Sequence, residues 1–434
     1  MMNRFFSAKN WNRVFLYLLF ICSTFSIAGT DVSIAMLYLI TLIHWFWDRK
    51  LSQLGNPLLW AILFFMATAV ISGLLNAYET EHLMALRSNW RLLLPLLLAV
   101  ILAEVDEDRL LWVFFGFVML IAIYGIIQYF TGVDWLRPDD QSFSTPYLTG
   151  AAGENTVFHG KGNFTHHLTY GGFLLLCFPL LASLVFCKDW NPFTRLITLA
   201  ITILVLLAIG SSLGRSIWLG TVVASAVLLF RLSPKLMLAV TVLVIAGGAY
   251  LFTQFSEPSF EIRTPTNRVE VIQQRFISSF MLKANQDRIL MWETGIAAIK
   301  DHFWLGIGYN NDAEIMPKYR DLIKKRTGHR FNNNAGIGVH NIYLQTWINY
   351  GLLGFLGYLS ILFIFLGQSI RTLFQTTSFS YENSIIWGGI AGICGFMVAG
   401  IFENNFRDGE VQAMLLILMG LSLRQIQKLN DRIF

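Results

Sequence analysis

The stretch "HNIYLQTWINYGLLGFLGYLSILFIFL", residues 340–366, decides the fold class of this 434-residue chain. One histidine and a few polar side chains precede an apolar run that is long enough to cross a bilayer, which takes about 20 helical residues. The whole chain is 55% hydrophobic and 14% charged, whereas soluble domains carry about 25% charged residues. The composition therefore predicts an all-α integral membrane protein.

Similar apolar runs recur along the chain and predict about twelve transmembrane helices. The runs are residues 14–29, 32–47, 58–75, 88–103, 110–130, 168–187, 195–211, 213–230, 235–253, 341–366, 384–402 and 411–426. Residues 1–253 would then hold nine spans with a loop near 131–167. Residues 254–340 would form one large loop with amphipathic helices, and residues 341–434 three spans and a tail. One amphipathic helix is expected from Asp287 to the helix stop "GIGYNN", residues 306–311.

Basic residues are distributed unequally between alternate connections. With the N-terminus inside, the short cytoplasmic segments carry 14 Lys and Arg, whereas the short outside loops carry two, Arg215 and Arg407. Arg87 and Arg91 stand at a boundary. Because short cytoplasmic loops are enriched in Lys and Arg, we expect both termini inside and both long loops outside. The net charge of +5 then reflects orientation and gives no reason to expect a nucleic-acid partner.

Two arginines at the outer face are candidates for binding an anion. Arg215 lies in "GSSLGRS", residues 210–216, between two apolar spans, where a charge is costly. Arg288 lies at the start of the predicted amphipathic helix. A guanidinium group offers a planar fork that suits phosphate oxygens. The simpler alternatives are that Arg215 extends to the membrane surface and that Arg288 pairs with an aspartate.

His340 stands at the entrance of the quoted run, where a neutral imidazole can take a proton from a hydroxyl group. The alternative is a histidine in the aromatic belt of the membrane interface. Helix periodicity predicts that His340, Tyr343, Trp347 and Gly351 share one face. It also predicts a stripe of small residues for close helix packing, formed by Gly351, Gly354 and Gly357.

Two further polar segments face the same side. "HGKGNFTHH", residues 159–167, brings Lys161 and His167 to the mouth of the sixth predicted span. No other ligand lies at metal-binding spacing beside the histidine pair, so a polar entrance is favoured over a metal site. "FENNFRDGEVQAM", residues 402–414, adds Arg407 and carboxylates that would orient a histidine or bind a sugar hydroxyl. The alternative is a tight polar turn.

Four segments together resemble the O-antigen ligase and O-antigen polymerase superfamily. "HNIYLQTWINYGLLG" (340–354) is similar to its H-[NS]-x9-G-x-x-[GT] motif, and "GSSLGRSIWLG" (210–220) to its Ser-x-x-Arg segment. "DRILMWETGIAAIKDHFWLGIGYNN" (287–311) resembles its R-x-x-x-W…P-x-x-G-x-G segment, with Phe303 or Trp304 near the usual proline. "GNFTHHLTYGGF" (162–173) resembles a further segment of the family.

This resemblance implies an inverting glycosyltransferase without metal or cofactor, in the inner membrane of a bacterium. Such an enzyme moves a glycan from undecaprenyl diphosphate to an acceptor hydroxyl at the periplasmic face. His340 would be the general base, and Arg215 and Arg288 would hold the diphosphate. Further substrate-binding residues are expected at Asn341, His167, Lys161 and Arg407.

The resemblance favours a ligase that joins O-antigen to lipid A–core in lipopolysaccharide assembly, because two arginines and one late histidine fit that branch. A polymerase, which joins the glycan to another carrier-linked repeat, is the alternative within the superfamily. A third relative attaches glycans to protein hydroxyls. A flippase of lipid-linked glycans is the rival from another class. A transporter needs polar residues through the middle of the bundle, whereas here they crowd one face.

Overall fold

The structure is a computed structural model that describes residues 8–48, 55–76, 89–138, 158–255, 268–329, 331, 338–376 and 378–433. Arg87 and much of the predicted loop 131–167 lie outside these ranges. Within them the regular structure is helical. The α-helices are α1 (Ala8–Cys22), α2 (Ile27–Asp48), α3 (Pro57–Leu75), α4 (Leu94–Ile101), α5 (Glu107–Thr131), α6 (His167–Leu184), α7 (Pro192–Ser211), α8 (Arg215–Leu232), α9 (Pro234–Phe255), α10 (Arg268–Ile277), α11 (Leu282–Asp301), α12 (Asp312–Thr327), α13 (Ile342–Phe374), α14 (Tyr381–Ala399) and α15 (Gly409–Ile433).

Eight helices within the described ranges are long and apolar enough to cross a membrane, namely α3, α5, α6, α7, α8, α9, α13 and α14. The predicted fold class, an all-α multi-pass membrane protein, is therefore confirmed. The other four predicted spans, 14–29, 32–47, 88–103 and 411–426, overlap α1, α2, α4 and α15. These four helices are not among the eight, so the predicted count of twelve is not confirmed.

Helices α6 and α14 form the centre of the bundle. Helix α6 packs against α7, α8, α14 and α15, and α14 also contacts α8 and α15. Glycines allow a close approach of α8 and α14, since a Cβ atom on Gly220 would lie 2.6 Å from the carbonyl oxygen of Gly395. Helix α9 lies at the edge against α8 and buries none of its apolar window, which leaves that window for lipid.

Helix α13 is broken at Gly351, where the backbone adopts φ 69° and ψ −173°. The segment 303–308 packs against this break. The N–H groups of Ile307 and Gly308 donate hydrogen bonds to the carbonyls of Ile348 (2.7 Å) and Asn349 (3.0 Å), which have lost their helical partners. A side chain on Gly351 would overlap the carbonyl group of Trp304. Only glycine suits both the positive φ and the close contact.

The break corrects the predicted stripe of three glycines. Gly354 and Gly357 do face α3, since a Cβ on Gly357 would lie 3.0 Å from the Cα of Phe65. Gly351 does not join them, because it faces the segment 303–308 instead. The prediction was wrong there because it assumed one continuous helix.

The segment between α9 and α13 builds a small apolar core of its own. Its helices α10, α11 and α12 include the predicted amphipathic helix, which ends at Asp301, before "GIGYNN". Ile299 of α11 and Tyr319 of α12 pack with Ile307, Val339 and Ile348. This core ties α11 and α12 to the first turns of α13 and thereby positions the residues that precede α13.

Candidate active site

A buried carboxylate joins two of the predicted catalytic residues. Glu403 Oε1 accepts a hydrogen bond from Arg288 Nη2 at 2.8 Å, and Glu403 Oε2 lies 3.2 Å from His340 Nδ1. The Glu403 side chain is 6% exposed, whereas those of Arg288 and His340 are 22% and 36% exposed. Glu403 is thus the buried member of the cluster, whereas the guanidinium of Arg288 and the imidazole of His340 remain accessible.

His340 precedes α13 and adopts a left-handed backbone conformation with φ 47°. Such a φ is uncommon for residues other than glycine and is found at functional sites. Asn341 fixes this conformation, because its Oδ1 caps α13 by accepting from the Leu344 N–H (2.9 Å), and its Nδ2 donates to the Ile401 carbonyl (2.9 Å). The prediction that His340 shares a helical face with Tyr343 was therefore wrong. Asn341 is buried, and its predicted role in substrate binding remains a prediction.

Arg215 belongs to a second cluster, where the start of α8 meets the end of α10. Its Nη1 donates to the carbonyl of Ser278 at 2.7 Å. From α10, Arg275 Nε donates to the carbonyl of Leu213, in the turn before α8, at 3.0 Å. Two arginine side chains therefore join the turn before α8 to the end of α10.

Three imidazoles lie between the clusters. The ring centroid of His167 is 3.9 Å from that of His159 and 4.3 Å from that of His166. Burial, assisted by the positive charge of Arg275, lowers the pKa of His159 to about 4, which keeps it neutral at neutral pH. Among the described residues, no three His, Cys, Asp or Glu side chains form a group suited to a metal ion.

His166 connects these imidazoles electrostatically to the first cluster. Desolvation lowers the pKa of His166, the Glu403 carboxylate opposes this effect, and His340 and Lys161 add to it. His166 is thus within electrostatic reach of Glu403 and His340. The polar row runs from His340 through the imidazoles towards Arg275.

The remaining predicted substrate-binding residues are held in ion pairs. Lys161 Nζ lies 3.1 Å from Asp134 Oδ2, and both side chains are at most 4% exposed. Arg407 Nη1 lies 3.1 Å from Asp312 Oδ2, and the Arg407 guanidinium covers the ring of Tyr309 at 5.0 Å. Neither residue contacts the Arg288–Glu403–His340 cluster directly in these pairs, so their roles in substrate binding stay predictions.

Two residues of the clusters were not predicted. Glu403 was only one of several carboxylates in residues 402–414, and the sequence does not say which of them meets His340. Arg275 lies in a polar helix whose pattern resembles an ordinary surface helix. Its position beside Arg215 follows only from the packing of α10 against the turn before α8.

The arrangement suits proton transfer beside a stabilised anion. Because Glu403 engages Nδ1 of His340, Nε2 is the nitrogen that remains to accept a proton from a hydroxyl group. A guanidinium has five N–H donors, and the contact with Glu403 uses one of those on Arg288. The others are suited to phosphate oxygens.

Comparison with known proteins agrees with the resemblance noted in the sequence. Residues 200–359, which contain Arg215, Arg275, Arg288 and His340, match the family model described as O-antigen ligase. A protein from Haemophilus influenzae, described as uncharacterized, is 26% identical over 209 residues. That alignment covers 46% of this chain and 50% of the relative, so the chain spans about half the length of this curated relative.

Proposed function

We propose that this chain, similar over residues 200–359 to the O-antigen ligase family, transfers a glycan from a polyprenyl diphosphate carrier to an acceptor hydroxyl. The observation that supports the proposal is that Glu403 contacts both His340, the proposed base, and Arg288, the proposed cation. Glycan transfer from a diphosphate needs a base and a cation around one donor sugar, because the acceptor loses a proton as the leaving group gains charge.

The proposed reaction is a direct displacement. His340 Nε2 takes the proton of the acceptor hydroxyl, and the oxygen attacks the anomeric carbon of the donor sugar. The bond from that carbon to the diphosphate oxygen breaks, and its electron pair leaves with the diphosphate. Attack from the opposite face inverts the anomeric centre. Arg288 and Arg215 stabilise the developing negative charge, as preorganised donors do in other active sites.

The carrier in this proposal is undecaprenyl diphosphate, and the site faces the periplasm of a bacterium, with both chain termini in the cytoplasm. The unequal distribution of Lys and Arg between alternate connections supports this orientation. The acceptor that we propose is lipid A–core, which makes the chain a ligase. A carrier-linked repeat as acceptor would make it a polymerase, with the same residues in the same roles.

Glycan transfer by the purified protein in detergent tests the proposal. Carrier-linked glycan is the donor, and lipid A–core and a second carrier-linked repeat are offered separately as acceptors. We expect transfer to lipid A–core by the native protein. His340→Ala should lower kcat at least about 100-fold, the usual contribution of a general base. Arg288→Ala and Arg215→Ala should each lower it by a similar factor.

His329→Ala is the matched control for His340→Ala, because His329 is paired with Asp287 and has no role in the proposal. Full activity of all three site variants would overturn the assignment of residues. Transfer only to the carrier-linked repeat would replace ligase by polymerase. Movement of carrier-linked glycan across the membrane of vesicles, without transfer to any acceptor, would overturn the assignment of the chain as an enzyme.

A further inference from the structure

A cavity of about 530 Å³ lies beside the Arg288–Glu403–His340 cluster, and the mechanism above does not use it. Its size is within the range of roughly 300–1,000 Å³ found for small-molecule sites. Its walls come from the start of α2, residues 89–91, the first turns of α13, Tyr309, the loop residues 404–407 and the first turn of α15. Both aromatic rings and polar side chains line it.

The charges in the cavity wall are compensated. Arg91 forms a two-pronged ion pair with Asp31, with N–O distances of 2.6 and 2.7 Å. Arg407 is paired with Asp312 at 3.1 Å. Each arginine is thus neutralised by its aspartate, and the described lining adds no further cation, so the cavity wall offers a diphosphate no excess positive charge. The cavity therefore suits a neutral occupant.

The lining offers the two kinds of surface that a sugar ring needs. The rings of Tyr309 and Tyr350 are nearly parallel, at an interplanar angle of 6° and a centroid distance of 6.2 Å. Tyr350 is nearly buried and Arg407 covers one face of the Tyr309 ring, so the aromatic surface left for the apolar C–H faces of a sugar is the rest of the Tyr309 ring together with Trp90 and Phe406. The side-chain amide of Asn404 makes no hydrogen bond to any part of the chain that the structure describes. An amide both donates and accepts, as sugar hydroxyls require.

The position of the cavity indicates which sugar it holds. Asn404 directly follows Glu403, and Gln345 accepts a hydrogen bond from the N–H of Val339, the residue before His340. The described lining includes no residue of α8 or α10, where Arg215 and Arg275 lie. His340 is therefore close in the chain to residues that contact the cavity wall, whereas the arginines of the second cluster do not line the cavity. In a direct displacement the base stands beside the acceptor hydroxyl, on the side of the donor sugar opposite the diphosphate.

We propose that this cavity binds neutral sugar units of the acceptor glycan and so presents the acceptor hydroxyl to His340. The proposal rests on the proposed function for the identity of the glycan. The neutral sugars can come from lipid A–core or from a carrier-linked repeat, and the experiment distinguishes these sources.

Direct binding tests the cavity without any transfer step. The probes are dephosphorylated core oligosaccharide and lipid-free repeat oligosaccharide from the host bacterium, titrated into the purified full chain by calorimetry. We expect one of them to bind. Tyr309→Leu should weaken that binding about tenfold, through loss of the aromatic surface. Asn404→Ala, which removes no side-chain hydrogen bond within the described chain, should weaken it several-fold.

Tyr250→Leu makes the same substitution at an exposed site on α9 and should leave binding unchanged. Binding of core oligosaccharide identifies lipid A–core as the source, and binding of the repeat identifies the carrier-linked glycan. Failure of both probes to bind, or equal affinity of native chain, Tyr309→Leu and Asn404→Ala, would overturn the inference. An inactive native chain that still binds a probe through Tyr309 and Asn404 would overturn only the proposed transfer.

Discussion

Glu403 Oε2 lies 3.2 Å from Nδ1 of His340, across 63 residues of sequence and from within a buried site. The carboxylate therefore holds the orientation of the imidazole and leaves Nε2 as the nitrogen without this contact. The same carboxylate contacts Arg288 through its other oxygen, so one side chain sets the spacing of the proposed base and the proposed cation. Glu403 is a positioning residue in this arrangement.

Glu403→Gln should lower kcat for glycan transfer about 100-fold, because the imidazole loses its fixed orientation and Arg288 loses its anchor. The KM for donor should change much less. Glu403→Asp keeps the charge and should recover part of kcat, whereas Glu403→Gln keeps only the shape. Steady-state kinetics of the two variants check this. Equal losses in both, or a loss confined to KM, would contradict the positioning role.

Lys161 should prove essential for stability. Lys161→Met leaves Asp134 charged and buried, and should lower the free energy of unfolding by about 3–5 kcal/mol. The double variant Lys161→Met with Asp134→Asn should recover much of that loss, since no unpaired charge remains. Thermal unfolding in detergent measures both. If the double variant is stable and the KM for donor is unchanged, Lys161 does not bind substrate. A higher KM in that stable variant would support the predicted role.

Gly351→Ala should lower the free energy of unfolding by about 3 kcal/mol. The alanine would have to adopt the positive φ, and its Cβ would overlap the Trp304 carbonyl. Gly367→Ala is the matched control in the same helix, because no neighbouring atom lies within 4 Å of the added Cβ. Gly367→Ala should leave stability unchanged or raise it slightly. Equal melting temperatures for the two variants would contradict the described break of α13.

Asp408→Asn should change how stability depends on pH. Burial raises the pKa of Asp408 to about 6, although Thr169 donates a hydrogen bond to its Oδ2 at 2.8 Å. The unfolded chain loses this proton near pH 3.9, so between about pH 4 and pH 6 the folded chain binds more protons. In that window the contribution of Asp408 therefore lowers the free energy of unfolding by about 1.4 kcal/mol for each pH unit that the pH rises. Above pH 6 Asp408 is ionised in both the folded and the unfolded chain, so its effect on the free energy of unfolding no longer changes with pH.

The measurement is thermal unfolding of native and Asp408→Asn chains between pH 4.5 and pH 8. The advantage of the variant should grow up to pH 6 and then level off. A constant difference across the whole range would show that Asp408 ionises in the folded chain as it does in the unfolded chain.

The fold class was predictable because a bilayer accepts only segments that satisfy their own backbone hydrogen bonds, and long apolar runs reveal them. The count of spans was less predictable. The predicted fourth span, residues 88–103, is divided between an eight-residue helix, α4, and flanking turns of tighter helix. Its composition alone does not distinguish it from a full span.

The candidate site was also predictable only in part. His340 was recognisable because it stands at the entrance of an apolar run, and Arg288 because it begins an amphipathic pattern. Their connection through Glu403 depends on how the loop after α14 folds against the residues before α13, which no local pattern describes. The predicted helical face of His340 was wrong for a related reason, because Asn341 caps the helix one residue later and separates His340 from its periodicity.

The break at Gly351 also has a consequence for the surroundings of the protein. Helices that do not match the local bilayer thickness respond by tilting. The part of α13 after Gly351 packs on α3 and can tilt with it. The part before Gly351 is held to segment 303–308 by the hydrogen bonds at Ile348 and Asn349. We therefore expect the later part of α13 to tilt without moving the turns next to His340, so that the geometry at His340 depends little on lipid chain length.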